Sequence, residues 1–192
     1  MLILASGSAI RRKMLEDAGI QFEVVRPDID EAALKAGIDD GETIALELAK
    51  AKAAAVSSTR SGDWVIGSDS VVRVEDRLFD KPESRDVAAD HLRLFSGKPM
   101  QLISAVALAH DGTVEWSDVG RAELHVRELS EDFIQSYLDA EWPEVGNCVG
   151  VFRIEGPGIQ LFDRLIGGHF TIMGMPLIPV LRALRKRGIL PK

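Results

Sequence analysis

Short apolar runs alternate with longer amphipathic stretches along the chain, a pattern that predicts strands and helices in turn. Residues 2–5 form an apolar run of strand length. Ser6-Gly7-Ser8 then opens a helix that stops at Gly19, a residue suited to the left-handed position past a helix end. Residues 22–25 read as a second strand, and an acidic loop follows over 27–31. An alanine-rich helix is expected from about residue 42 to 58. A third strand starts at 64–66 and leads through Gly67-Ser68-Asp69 into 71–74. Ser84 caps a helix ending near Ser96-Gly97. Segments 102–109 and 113–126 flank Asp111-Gly112, a dipeptide that favours a tight hairpin. Ser130, with Glu131 and Asp132 behind it, starts a helix whose first turn has the negative charge its dipole favours. Strands around 160–165 and 170–173 precede a basic helix over 177–187. Hairpins mixed with strand–helix alternation predict a mixed α/β (α+β) fold. Its sheet is mixed and partly antiparallel, with helices packed on it.

Composition narrows the class. With 192 residues, 46% of them hydrophobic, the chain can bury one real core. No repeat, low-complexity run or long linker divides it, so residues 1–192 are expected to be one domain, in two lobes sharing a sheet. The net charge of −7 argues against stable nucleic-acid binding, but a local cluster of cations could still hold a small polyanion. One cysteine, Cys148, leaves no intrachain disulfide and points to a reducing compartment. The first residues lack a secretory pattern, and no stretch nears the roughly 20 apolar residues of a membrane span. A cytoplasmic protein is the expectation.

Four segments carry candidate chemistry. Arg11, Arg12 and Lys13 crowd the start of the first helix, where the dipole disfavours cations; either an anion sits among them or they are solvated. On the wheel of the helix over 42–58, Ile44, Ala45, Leu48, Ala49 and Val56 form one apolar arc. Lys52 falls in its middle, whereas Lys50 lies off it and can pair with Glu47. Lys52 must snorkel out or meet a buried negative group. Asp69 interrupts an apolar strand beside Gly67, as a ligand-binding carboxylate or as a structural cap. Asp28-Ile29-Asp30-Glu31 offers hard oxygens of the kind Mg²⁺ takes. Lys81, in Phe79-Asp80-Lys81-Pro82, completes the charged set. His91, His110, His125 and His169 have no metal-ligand spacing, and no dinucleotide or Walker loop is present.

Taken together these segments resemble the Maf family of nucleotide pyrophosphatases. The likeness rests on Leu2-Ile3-Leu4-Ala5-Ser6-Gly7-Ser8 with Arg11, Pro27-Asp28-Ile29-Asp30-Glu31, Leu48-Ala49-Lys50-Ala51-Lys52-Ala53 and Gly67-Ser68-Asp69-Ser70-Val71-Val72. Lys81-Pro82, Leu94-Phe95-Ser96-Gly97-Lys98 and Gly174-Met175-Pro176-Leu177 follow in register. The resemblance implies hydrolysis of a nucleoside triphosphate at the α-phosphate, giving the monophosphate and pyrophosphate. It implies a cleft between two lobes, a divalent cation (Mg²⁺ or Mn²⁺) on Glu31 and Asp69, and a homodimer. Asp69 would be the general base or hold the metal-bound water. Ser6, Ser8, Arg11, Lys52 and Lys81 would hold the phosphates.

Three positions bear on the base: Ile10, Ser70 and Glu155. The branch similar to dTTP/UTP pyrophosphatases keeps an arginine at the place of Ile10, a threonine at that of Ser70 and a glutamine at that of Glu155. The branch similar to 7-methyl-GTP pyrophosphatases lacks that arginine and carries a glutamate at the last position. The stretch from Glu155-Gly156-Pro157 onward resembles the second branch, although Ile10 and Ser70 are smaller than the residues expected there. A carboxylate can accept two hydrogen bonds from the guanine N1–H and N2 amino edge, where thymine or uracil offers one donor. The expected substrate is therefore 7-methyl-GTP or a related modified purine nucleotide, unless Glu155 is held by Arg153 or Arg164. The alternatives are a dTTP/UTP or broad-specificity pyrophosphatase and, outside enzymes, a nucleotide-sensing regulator of cell division.

Overall fold

The computed structural model describes residues 1–191. In chain order it contains β1 (Leu2–Ala5), α1 (Ala9–Asp17), β2 (Glu23–Val24), α2 (Glu31–Lys35), α3 (Gly41–Ser57) and β3 (Trp64–Val74). These are followed by β4 (Arg77–Phe79), α4 (Arg85–Phe95), β5 (Pro99–His110), β6 (Thr113–Val126) and α5 (Glu131–Glu141). Short 3-10 turns at Glu144–Asn147 and Pro157–Leu161 precede β7 (Phe162–Gly167), α6 (His169–Ile172) and α7 (Leu177–Lys186). The seven strands form one sheet in the order β2-β1-β3-β5-β6-β7, with β4 on β3. It is mixed, as expected: β1 runs parallel to β2 and β3, whereas β3/β4 and β6/β7 are antiparallel. Asp111 and Gly112 both take positive φ, +46° and +78°, as the turn joining β5 to β6 requires.

The chain divides into two compact units, residues 1–70 with 103–120 and 168–192, and residues 71–102 with 121–167. In the first unit β1 is buried on both faces. Leu2 and Leu4 pack with Met14, Leu15, Val180 and Leu184, while Ile3 and Ala5 pack with Val56 and Val65. Asp40 caps α3, accepting a bond from the Thr43 amide at 2.8 Å. Its buried face is the arc expected from the wheel, with Gly41, Ala53 and Ser57 added and Lys52 included. In the second unit Ser84 and Ser130 cap α4 and α5, and the Phe79 ring meets that of Phe95 edge-on at 4.9 Å.

Three expectations need correction. Residues 170–173 are not a strand: α6 and the turn after it put Phe170 and Met173, three apart, on the same core. Burial there outweighs the strand propensity of a Phe-Thr-Ile run. The acidic segment is not all loop, because Asp30 caps α2 by accepting from the Ala33 amide at 3.0 Å, making Glu31 its first residue. The last strand begins at Phe162 rather than 160, after the turn over Pro157–Leu161. The three-residue β4 was not foreseen, being too short to show a period.

Candidate functional site

Side-chain alternation along β3 sorts its residues onto two faces. Val65, Gly67 and Asp69 face α3; Ile66, Ser68 and Ser70 face the other side of the sheet. Gly67 is what lets α3 come close. A Cβ there would sit 2.2 Å from the Ala49 carbonyl oxygen and 2.6 Å from the Ala53 amide nitrogen. Helix backbone thus rests on strand backbone between Ala49 and Ala53, which bracket Lys52 on the helix, and two residues before Asp69 on the strand.

That approach decides the fate of Lys52. Its side chain is 10% exposed and does not snorkel: Nζ donates to Asp69 Oδ1 at 2.5 Å and lies 2.8 Å from Glu31 Oε1. Asp69 is nearly as buried, whereas Glu31, at the N-terminus of α2, is about half exposed. One ammonium therefore offsets two carboxylates, and the buried Asp69 is paid for by a charge the same site supplies. An ammonium is a compact point charge with three rotatable donors, so it can turn toward a phosphate oxygen without leaving the carboxylates. Two hard carboxylates converging on one cation also fit a divalent ion of the Mg²⁺ type, which takes one or two carboxylates and fills its shell with water and phosphate. No group of three or more His, Cys, Asp or Glu among the described residues could hold a metal unaided. Glu31 and Asp69 would thus share such an ion with water or substrate.

On the opposite face of β3 lies a second polar cluster. Arg11 Nε donates to the Gly174 carbonyl at 2.9 Å, Nη1 to the Ser68 carbonyl at 3.0 Å, and Nη2 to Ser70 Oγ at 2.9 Å. Ser70 Oγ also meets Ser104 Oγ at 2.9 Å and the Gly174 carbonyl at 3.1 Å, and Ser104 donates to the Thr171 carbonyl at 2.9 Å. Gly174 has φ of +106°, which suits glycine and turns its carbonyl to receive these donors. Ser68 and Ser104, buried and central here, were not singled out from the sequence. The available signal was hydroxyls interrupting apolar runs in two strands.

The expected trio of cations in α1 does not act together. Arg12 pairs with Glu16 at 2.7 Å and Lys13 with Asp17 at 2.9 Å, both outward. Only Arg11 turns inward. Ser8 caps α1 by accepting from the Arg11 amide at 3.4 Å, and Ser6 Oγ accepts from the Ser8 amide at 3.2 Å. Both hydroxyls thus shape the turn that carries the exposed Gly7. Ile10 is half-buried in the first turn of α1. Lys50 pairs with Glu47 as the wheel implied, at 2.9 Å.

Lys81 and Glu155 belong to the second unit. Both are exposed, and among the described residues neither has a hydrogen-bond or ion-pair partner. Arg153 does not hold Glu155. It forms a two-pronged pair with the buried Glu141, Nε to Oε2 at 2.9 Å and Nη2 to Oε1 at 3.0 Å. The Cys148 thiol is pushed up to about 11, first by burial and then by the charge of Glu155. That favours the protonated thiol over the thiolate at neutral pH.

Residues 1–187 match the family model described as Maf-like protein. A 7-methyl-GTP pyrophosphatase of Rhizobium etli is 44% identical over 97% of this chain and 96% of its own. A nucleoside triphosphate pyrophosphatase of Nitrobacter hamburgensis is likewise 44% identical, over 98% of this chain and 95% of its own. Among solved structures, a nucleoside-triphosphatase (dITP/XTP pyrophosphatase) of Mycobacterium abscessus is 16% identical with a TM-score of 0.42, covering 99% of this chain and 94% of that one.

Proposed function

The chain belongs to the Maf-like protein family, and on that premise we propose that it is a nucleoside triphosphate pyrophosphatase, hydrolysing its substrate at the α-phosphorus. The observation that carries this reading is the Lys52 ammonium shared by Asp69, in the middle of the buried strand β3, and Glu31. A water attacks the α-phosphorus, the new P–O bond forms, and the bridging P–O bond to the β-phosphate breaks, releasing pyrophosphate. Lys52 occupies Oδ1 of Asp69, so Oδ2 is the oxygen that takes the proton from the attacking water. The Lys52 ammonium offsets charge developing on the phosphate oxygens. A divalent cation, Mg²⁺ or Mn²⁺, held by Glu31 and Asp69, would neutralise substrate charge further. Ser6, Ser8, Arg11 and the unpartnered Lys81 are proposed as phosphate contacts.

We take the base to be a purine, 7-methylguanine first. Glu155 offers an unpaired carboxylate to a base edge with two donors, and N7-methylation makes that base cationic, which strengthens such bonds. Ile10 and Ser70 are proposed to tune the choice. The name of the Rhizobium relative agrees with this substrate. A reducing, cytoplasmic setting and a homodimer complete the proposal, with a small nucleotide as partner rather than nucleic acid.

The test is a panel of 7-methyl-GTP, GTP, UTP, dTTP and CTP with Mg²⁺ or Mn²⁺, scoring pyrophosphate against orthophosphate, beside Asp69→Asn. Pyrophosphate release from one or a few members, reduced about a thousandfold in the variant and stopped by a chelator, is expected. Orthophosphate as the first product, or full activity in Asp69→Asn, would overturn the assignment.

A further inference from the structure

Glu155 stands on a segment with little regular structure, so something must fix its direction if it is to read a base. We propose that the Arg153–Glu141 pair is the positioning device for Glu155, and hence a determinant of nucleotide choice. This rests on the reading of Glu155 as the base-contacting residue.

The segment is built around Arg153. From the C-terminal end of α5, Glu141, whose side chain is 4% exposed, grips both prongs of the guanidinium at 2.9 and 3.0 Å. A fork on a carboxylate fixes a plane as well as a distance, which a lysine would not do. The backbone then wraps over the same residue. The Gly156 amide donates to the Arg153 carbonyl at 3.2 Å, and a Cβ on Gly158 would lie 2.5 Å from that carbonyl oxygen. Only a residue without a side chain lets the turn close there. On the other side, Tyr137 Oη donates to the Val151 carbonyl at 3.0 Å. Val151 is fully buried with φ of +54°, a left-handed conformation that a β-branched residue holds only when its surroundings impose it. Glu155 lies between the wrapped Arg153 and Gly156–Gly158, exposed and with no hydrogen-bond or ion-pair partner among the described residues, although its charge is felt by Arg153 and Cys148. The burial is spent on the residues that hold the turn, and the carboxylate it presents is left for a ligand.

Selectivity is measured as the ratio of kcat/KM for 7-methyl-GTP to that for UTP. Glu155→Gln, which tests the underlying reading, is expected to cut the ratio about tenfold. Glu141→Gln is expected to cut it by about fivefold through KM for 7-methyl-GTP, with kcat within twofold. The double variant should be no less selective than Glu155→Gln alone, because a positioning residue has nothing left to position. Tyr137→Phe, which removes only one hydroxyl, should lower the ratio about twofold and serves if Glu141→Gln does not fold. If Glu155→Gln lowers the ratio and neither Glu141→Gln nor Tyr137→Phe does, or if their effects multiply with it, the positioning inference is wrong and the base reading stands. If Glu155→Gln leaves the ratio unchanged, the base reading is wrong and the inference falls with it.

Discussion

Lys52 in the first unit and Arg153 in the second are both basic side chains gripped by a buried carboxylate, yet the grips differ in kind. Lys52 is a point charge shared between Asp69 and Glu31, on a helix and a strand pressed together through Gly67. Arg153 is a planar fork on one carboxylate, in a turn held by that contact. An ammonium can redirect its donors to a new acceptor; the guanidinium cannot without breaking its pair. On the proposed roles, the group that exchanges partners is the lysine on rigid elements, and the group that stays put is the arginine on a loop.

Breaking the first grip should have the largest effect. Lys52→Met leaves Asp69 and Glu31 without their shared cation, and pyrophosphate release should fall by about a thousandfold. Lys52→Arg should rescue little, since a fork is not a point charge, whereas Arg153→Lys should keep kcat and lose selectivity. Steady-state kinetics on both nucleotides would show whether the two cations differ as stated.

Gly67→Ala attacks the support instead of the charge. Its Cβ would meet helix backbone at 2.2 and 2.6 Å, which no rotamer relieves. A loss of about 3 kcal/mol is expected, read by thermal or denaturant melting, with Lys52 displaced from Asp69. Unchanged stability and activity would mean that the close approach does not set the site.

The second unit's buried polar turn is sharpened by its thiol. Because burial holds Cys148 near 11 against an ordinary 9.0, its alkylation at pH 8 should be roughly a hundredfold slower than for an open thiol. Unfolding should abolish the difference.

The smallest effect concerns His91, packed on Phe79 at 5.2 Å. Burial, aided by Arg77, lowers its pKa below 6.5, so the folded chain favours the neutral ring. Its contribution to stability is present above pH 6.5 and is lost as pH falls from 6.5 through the folded value. His91→Phe should flatten the melting temperature across that window by a degree or two, an effect of under about 1 kcal/mol. A variant with the same acid slope as the parent would remove His91 from the account.

The helices α3, α4, α5 and α7 were legible from long amphipathic periods, joined at α4 and α5 by the capping residues Ser84 and Ser130. The hairpin at Asp111-Gly112 was legible from turn chemistry. Helix α6 was not, since four residues are too few for a period and their propensity favours the wrong state. In the candidate site, Lys52 declared itself by standing in an apolar arc. The role of Arg11 was read only in part: its position at a helix N-terminus suggested an anion, but its partners are the Gly174 and Ser68 carbonyls and Ser70. Those acceptors are far away in sequence and mostly backbone, so no side-chain pattern announces them.

What the sequence determined by itself is local: element type where the period is long, the caps, the buried stripe that includes Lys52, and the motifs that give the family. Those follow from spacing and side-chain chemistry, which neighbours along the chain already contain. Tertiary structure alone decided which charges distant in sequence meet. It joined Lys52 to both Asp69 and Glu31 and gave Arg153 to Glu141 instead of Glu155, whereas Arg12 with Glu16, Lys13 with Asp17 and Lys50 with Glu47 are local pairs, three or four residues apart on one helix. Ion pairing depends on distances of a few ångströms between groups tens of residues apart, and only the packing of strand on helix and turn on helix sets those distances.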